Sequence, residues 1–527
     1  MDLLWELVCS GLLLLVSFLY IVWTWIRPFD IDPSLPGPKR AKLVGVTFEE
    51  ESNQCFDGDS FEWAKWPTLS LELSRRWNFH TWGGPTLNIG FGGAFFNVVS
   101  PECLQYILKD NFANYEKGRL TRSFQELMGS AVFTTDGDAW KFHRKITTTV
   151  LSRETVKHAA VLLKEKLAIV EHLLVEKEEQ VFDFQDLCYK MVFDVFAKLA
   201  FGVELNQVNS MLLNNSNNNK QQDDEENQKK MDAFGDAFDR LQLYIHQRFN
   251  DPLWEYKQKF VIGERERKVV ECQNVIDDFA FGIIRKALEG GGHDKQQQQQ
   301  QLDVIHQFIA YCRNVDGKDP TEQDLRSFVM TFVLGGRDTT SVTIAWAIFE
   351  LTKHPAVVSL IRDEVERVLS SSVEPWTYDF VDKLKYTQAV VMEVLRLHCP
   401  VPDSFRFAVQ DDVLPDGTRI PAKSLVMYSI YSINHSDKVW GTNANTFDPD
   451  RFVNKMEPGP TIYPTFNAGP RVCPGKPLAL MELKMTVAFL VSKFEFEDAS
   501  QHSGEFDWKL VLAMKDGFPV KVRRRMA

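Results

Sequence analysis

The stretch Phe466-Asn467-Ala468-Gly469-Pro470-Arg471-Val472-Cys473-Pro474-Gly475, followed at once by the apolar run PLALMELKMTVAFLVSKF, decides the fold. A metal-binding thiolate must be held deprotonated, which the metal, nearby positive charge and N–H donors all favour. Gly469 and Gly475 let the backbone come close to a flat macrocycle. Phe466 can shield the sulfur from solvent, and Arg471 supplies positive charge. The run after Cys473 reads as a helix that aims its positive end at the sulfur. Cys473 is therefore a candidate iron ligand; the alternative is a glycine-containing loop with an incidental cysteine. Five such fixed positions arise by chance in roughly one of ten thousand chains of this length.

The other cysteines, Cys9, Cys55, Cys103, Cys188, Cys272, Cys312 and Cys399, are scattered, with no CxxC pair and no metal-finger spacing. That suits buried thiols in a reducing compartment. Hydrophobic residues make up 44% and charged residues 25% of the 527, which excludes wholesale disorder. A net charge of −12, with no basic stripe carrying interleaved aromatics, excludes nucleic acid as a dedicated partner.

From Leu7 to Ile26 no residue is charged. As a helix this run spans roughly 30 Å, the thickness of a bilayer core. A cleaved signal peptide needs a basic n-region, whereas Asp2 and Glu6 come first here. Arg27, Lys39, Arg40 and Lys42 follow, which leaves the rest of the chain on the cytoplasmic side. Residues 1–28 are thus expected to be a transmembrane anchor and 29–45, with Leu35-Pro36-Gly37-Pro38, a stiff hinge. Residues 46–527 are expected to form a single domain, since no linker divides them.

Residues 85–101 alternate β-branched and aromatic residues with glycines and read as strand. Helical periodicity dominates from Pro101 onward, and strand signals with Asp-Gly turns return in DDVLPDGTRIPAKSLVMYSI and WKLVLAMKDGFPVKV. Residues 214–230, rich in Asn and Gln, and the polyglutamine tract 296–301 are expected to be disordered surface insertions. The fold class is mainly α with small β-sheets.

Further residues carry chemistry. In LRSFVMTFVLGGRDTTSVTIAWAIFEL, Asp338 stands beside Thr339 and Thr340 in mid-helix, next to Gly335 and Gly336. Acid and hydroxyl compete there for backbone hydrogen bonds, and the glycines weaken the helix further. Such a conflict is expected where function outweighs stability. Glu393 and Arg396 sit at i, i+3 on one helix face. An exposed pair of this kind contributes almost nothing, but apolar flanks point to burial and a need for further partners. Trp140 and Arg144 place a ring N–H and a guanidinium one helical turn apart.

FxxGxRxCxG, GGRDTT, ExxR and the later Pro449-Asp450-Arg451-Phe452 together resemble the cytochrome P450 family, over nearly the whole chain. The resemblance implies that fold, preceded by one transmembrane helix, and haem b (iron protoporphyrin IX) ligated by Cys473. It makes Asp338 and Thr339 a proton relay for iron-bound O2, with Thr340 secondary. It implies that Glu393, Arg396 and Arg451 form a structural network behind the cysteine loop. Trp140, Arg144, Arg406 and Arg471 then meet the haem propionates, alongside Phe466, Gly469 and Gly475 around the cofactor. Asn443, where relatives commonly carry an acid, and His435, in place of a frequent arginine, are the departures.

The activity implied is monooxygenation of a lipophilic substrate, with electrons from NADPH through a membrane-bound cytochrome P450 reductase. Lys141, Lys145, Lys476 and Lys484 are a candidate docking patch. TTDGDAWKFHRK, RFNDPLWEYK with IGERER, and DDVLPDGT look most like plant-type fatty-acid ω-hydroxylases and their protist relatives. Val132, Phe133, Phe332, Leu334, Val401 and Leu512 are candidate walls of an apolar substrate pocket, ordinary core being the alternative. A hydroperoxide-rearranging enzyme, a sterol or terpenoid hydroxylase and a non-enzymatic haem-binding protein are the rival readings. The location implied is the endoplasmic reticulum membrane, single-pass, with the catalytic domain facing the cytoplasm.

Overall fold

The computed structural model describes residues 56–57, 60–61, 86–90 and 93–525, apart from 214–221, 250, 252, 291–303 and 454. The expected anchor, hinge and polyglutamine tract lie outside the described residues. Among the described residues no single helix is long and apolar enough to cross a membrane. The chain divides into two compact units, Met1–Glu116 with Phe405–Ser429, and Lys117–Ser404 with Ile430–Ala527.

The first unit is built on a five-stranded sheet in the order Thr86–Gly90, Gly93–Val98, Leu425–Ser429, Asp403–Ala408, Tyr115–Glu116. The stretch read as strand is its antiparallel hairpin, and Leu425 lies opposite Phe95 in a parallel pairing against it. Phe96, Val98, Val426 and Tyr428 are buried. Asp412 accepts hydrogen bonds from the hydroxyls of Tyr115 (2.8 Å) and Tyr106 (3.0 Å) and from Asn111 (2.9 Å). That single carboxylate fastens the strand ends to the neighbouring turns.

The second unit is helical. Its principal helices are α1 (Gly137–Val150), α2 (Arg153–Glu176), α3 (Phe184–Phe201), α4 (Gln222–Arg248) and α5 (Glu264–Gly290). They continue with α6 (Glu322–Phe332), α7 (Thr339–Lys353), α8 (Lys385–Leu397) and α9 (Lys476–Lys493). One core gathers α2, α3, α7, α8 and α9; a second joins the end of α3 to α4, α5 and α6. α7 and α9 are buried on nearly every side, as their almost unbroken apolar sequences require. Thr321 and Asp324 close a reciprocal capping box at the start of α6, and Asp183 caps α3. The late strand signals form a hairpin, Phe506–Trp508 with Leu512–Met514, and the strand Pro519–Arg524 between Phe494–Asp498 and Phe182–Asp183.

One expectation is corrected here. Residues 222–230, taken with the disordered insertion, form the first turns of α4. Glu, Gln and Lys are good helix formers, and the acids of DDEE sit favourably at a helix N-terminus. Low apolar content alone therefore misreads this segment.

Candidate active site

The loop before α9 is shaped by two residues in left-handed conformation, Asn467 (φ 63°) and Gly469 (φ 64°). The N–H of Cys473 donates to the Phe466 carbonyl at 2.8 Å, and α9 begins at Lys476 with Gly475 as its N-cap. Cys473 is the one exposed thiol of the six described cysteines. Burial nevertheless pushes its thiol up. The Gly475 N–H, the Arg144 guanidinium, and the N–H and ammonium of Lys476 all pull the other way and favour thiolate. Gly475 has φ near −82°, so any residue could adopt its backbone; a Cβ there would lie 3.8 Å from the sulfur.

Three of the expected donors converge on this loop. Arg144 Nη1 donates to the Val472 carbonyl at 2.6 Å. Arg471 Nη2 meets Asp136 at 2.5 Å and the Thr135 carbonyl at 3.1 Å, with its guanidinium 4.5 Å from the Trp140 ring centre. Arg406, in the first unit, is fully buried, and its Nε and Nη2 have no hydrogen-bond partner among the described residues. A buried guanidinium with two idle nitrogens calls for an anionic group.

Behind the loop stands a buried clamp. Arg396 Nε and Nη2 each reach a Glu393 oxygen at 2.7 Å, and both side chains have zero exposure. Arg396 Nη1 also donates to the Asn434 and Ala444 carbonyls at 2.6 Å. Glu393 accepts the Asp448 N–H at 2.9 Å, and Arg451 Nε lies 3.4 Å away. Arg451 in turn donates to the carbonyls of Trp440 (2.7 Å) and Asn443 (2.6 Å). Position 443 thus serves through its main chain, which accounts for the tolerance of asparagine there. Burial raises the Glu393 carboxyl despite both arginines.

Between α6 and α7 the chain winds as a π-helical segment, Val333–Asp338. Such segments are rare and are frequently found at functional sites. Phe332 and Gly336 face α3: Phe332 stacks on Phe196 at 6.1 Å, and a Cβ on Gly336 would come within 2.6 Å of that ring. Gly335 and Thr339 share the open face, where the Thr339 hydroxyl donates to the Gly335 carbonyl at 2.8 Å. Asp338 turns elsewhere, to Gln242 of α4 (2.8 Å) and to Arg337 (2.8 Å). Burial pushes its carboxyl up to about 6, against the pull of Arg337. Thr340 is buried and hydrogen-bonds Glu482 of α9, whose carboxyl burial raises to about 8. The three residues expected to act together therefore point three ways.

Of the candidate wall residues, Val132 is half-buried and Phe133 and Val401 are exposed, Phe133 coming within 3.8 Å of a Cβ placed on Gly335. Phe332, Leu334 and Leu512 are buried, the first two within the aromatic and aliphatic core. Lys484 is corrected: it is 4% exposed and donates to Gln388, with burial bringing its ammonium down to about 8. It lies on a face of α9 that packs inward, so it is no part of a surface patch. Lys141 and Lys145 are exposed, Lys141 paired with Asp138. Gln242, Arg337 and Glu482 went unassigned in the sequence. Only Glu482 carried a signal, an acid in an otherwise apolar helix.

A family profile described as Cytochrome P450 matches residues 72–521. The chain is similar to Cytochrome P450 704B1 of Arabidopsis thaliana, 29% identical over 98% of this chain and 100% of that one. It is also similar to Cytochrome P450 94C1 of the same plant, 31% identical over 81% of this chain and 84% of that one. Among solved structures, the cytochrome P450DA heme domain superposes with a TM-score of 0.73 at 20% identity, over 93% of this chain and 98% of that one.

Two outcomes follow from the geometry. Arg396→Met leaves Glu393 as a buried charge and is expected to cost about 3–5 kcal/mol, read as a lowered thermal unfolding midpoint. Folded Glu482 keeps a proton that the unfolded chain loses, so its contribution to stability falls as pH rises from 4.5 to about 8. Glu482→Gln should flatten that slope when urea midpoints are compared across the window; an unchanged slope contradicts the assignment.

Proposed function

The chain belongs to the cytochrome P450 family and is a monooxygenase, and we propose that its reaction is terminal or in-chain hydroxylation of a fatty acid. Family membership implies a haem iron, and the residues of the site fit it. The observation that carries the reading is Cys473: an exposed thiol beside the Gly475 and Lys476 N–H groups, the Lys476 ammonium and the Arg144 guanidinium. When bound, iron protoporphyrin IX supplies O2 activation and oxygen insertion into an unactivated C–H bond.

The protein's own part is to hold and to feed. Cys473 would ligate the iron, with the Gly475 and Lys476 N–H groups spreading the charge on its sulfur. Arg144, and Arg471 with Trp140, would hold propionate carboxylates. Asp338 keeps a proton at hand near neutral pH, and Thr339 offers a hydroxyl on the open face of the segment. This support for an acid counts against hydroperoxide rearrangement, which needs no proton delivery.

The fatty-acid assignment draws on the plant-type segments named above and on the exposed apolar Phe133 and Val401. Electrons would come from NADPH through a reductase, docked where Lys141 and Lys145 stand exposed. Residues 1–28 would tether the chain to the endoplasmic reticulum membrane, with residues 46–527 in the cytoplasm.

Reduced protein with carbon monoxide should show the thiolate-type Soret band, and Cys473→Ser should abolish it; a histidine-type band in the unmodified protein would sink the ligand assignment. Fatty acids should shift the iron spin state where sterols and terpenoids do not, and product should require NADPH, reductase and O2. Turnover of a hydroperoxide without them would favour the rearranging alternative. Deleting residues 1–28 should release the chain from alkaline-washed membranes; retention there would refute the tether.

A further inference from the structure

Gln242 and Asp338 are each 1% exposed, and the amide Nε2 of Gln242 donates to Asp338 Oδ2 at 2.8 Å. The other half of that amide, Oε1, is buried with no hydrogen-bond partner among the described residues. An idle acceptor in such a place costs stability. Asp338 Oδ1 is taken by Arg337 at 2.8 Å. The groups facing Asp338 are Arg337 on its own segment, Asp239 from α4, Tyr189 from α3 and Lys509 from the Phe506–Met514 hairpin. Arg337 is itself held, 4.6 Å from the Tyr189 ring centre and 3.9 Å from Asp239, which Lys509 pairs at 2.6 Å.

The chemistry of the partner matters. An ammonium or guanidinium only donates, and so favours carboxylate; an aliphatic side chain does neither. A carboxamide donates from one end and accepts at the other. Half a turn about its last bond exchanges Nε2 for Oε1. We propose that Gln242 is a positioning residue whose amide turns over as Asp338 loses and regains a proton, keeping one hydrogen bond in both states. With Asp338 ionised, the amide N–H donates to Oδ2. With Asp338 protonated, its O–H donates to Oε1, the acceptor that is idle in the first state. Each proton Asp338 gives up is consumed in the reduction of O2, and the carboxylate left behind is reprotonated by hydronium or buffer acid from solvent, so the cycle is balanced. The raised carboxyl, at about 6, agrees with a group that exchanges its proton near neutrality. The inference rests on Asp338 being the proton carrier of the reading above.

The test uses the full-length, haem-loaded chain. The protonated-carboxyl infrared band that disappears in Asp338→Asn is followed across about pH 4 to 8. Unmodified protein should titrate close to 6. Gln242→Lys should move the midpoint down by about one pH unit or more, and Gln242→Met up by less than that, because the amide lost there bonds both states and the ionised one only somewhat more strongly; a rise as large as a fixed donor would give contradicts the turning amide. If the lysine variant does not fold, the isosteric methionine variant decides. A midpoint left in place by the substitution overturns the proposal.

With reductase and NADPH, the peroxide released per NADPH consumed should rise several-fold in either variant at unchanged KM. A raised KM with unchanged peroxide would mean a merely structural role. A band that follows Gln242 in a chain making no O2-dependent product would support this pairing while the monooxygenase mechanism failed. Product without any response of the band would reject the pairing alone.

Discussion

Everything around Cys473 depends on one buried ion pair. Glu393 and Arg396 are fully enclosed, and neither charge is tolerable there without the other. Their mutual attraction is only part of what they do. Arg396 spends its remaining hydrogens on main-chain carbonyls at Asn434, Ala444 and Thr446, and Glu393 takes the Asp448 N–H. The pair therefore works as a clamp on irregular backbone that has no ladder of its own to satisfy it. Asn434 passes the restraint on through Thr465, at the turn that leads into the cysteine loop. A helix thus positions a loop by consuming its carbonyls.

The same economy governs the π-helical segment. An extra residue in the turn rotates successive side chains out of their α-helical faces, and neighbours divide them. α3 takes Phe332 and Gly336, α4 takes Asp338, α9 takes Thr340, and Gly335 with Thr339 are left open. Acid and alcohol adjacent in sequence end in different surroundings. One is desolvated and half-neutral near pH 6; the other, half-buried, is hydrogen-bonded to its own helix. Separate environments for the two groups are what a graded passage of protons requires.

Buried charge is also where reading from sequence fails. Lys484 and Glu482 occupy a helix that is buried along most of its length, so both go inside and both shift toward neutrality. From sequence, Lys484 looks like any surface lysine, because exposure is a property of the packed helix and not of the residue. The opposite error befell residues 222–230, where polar composition concealed adequate helix propensity.

Local signals determined a good deal. Apolar periodicity was enough for the long helices, alternation with Asp-Gly turns for the hairpins, and the spacing of Phe466, Gly469, Arg471, Cys473 and Gly475 for the ligand loop. Glu393 and Arg396 were legible as a pair because i, i+3 on a helix leaves them no choice but to meet. What only the tertiary structure decided is which side of each element faces which neighbour. Gln242 stands 96 residues from Asp338 and Glu482 lies far beyond Thr340 in the chain, so no local pattern couples them. Their pairing, and the titration it sets, arises from desolvation and from the scarcity of partners inside a packed core. Both of these exist only once the chain has folded.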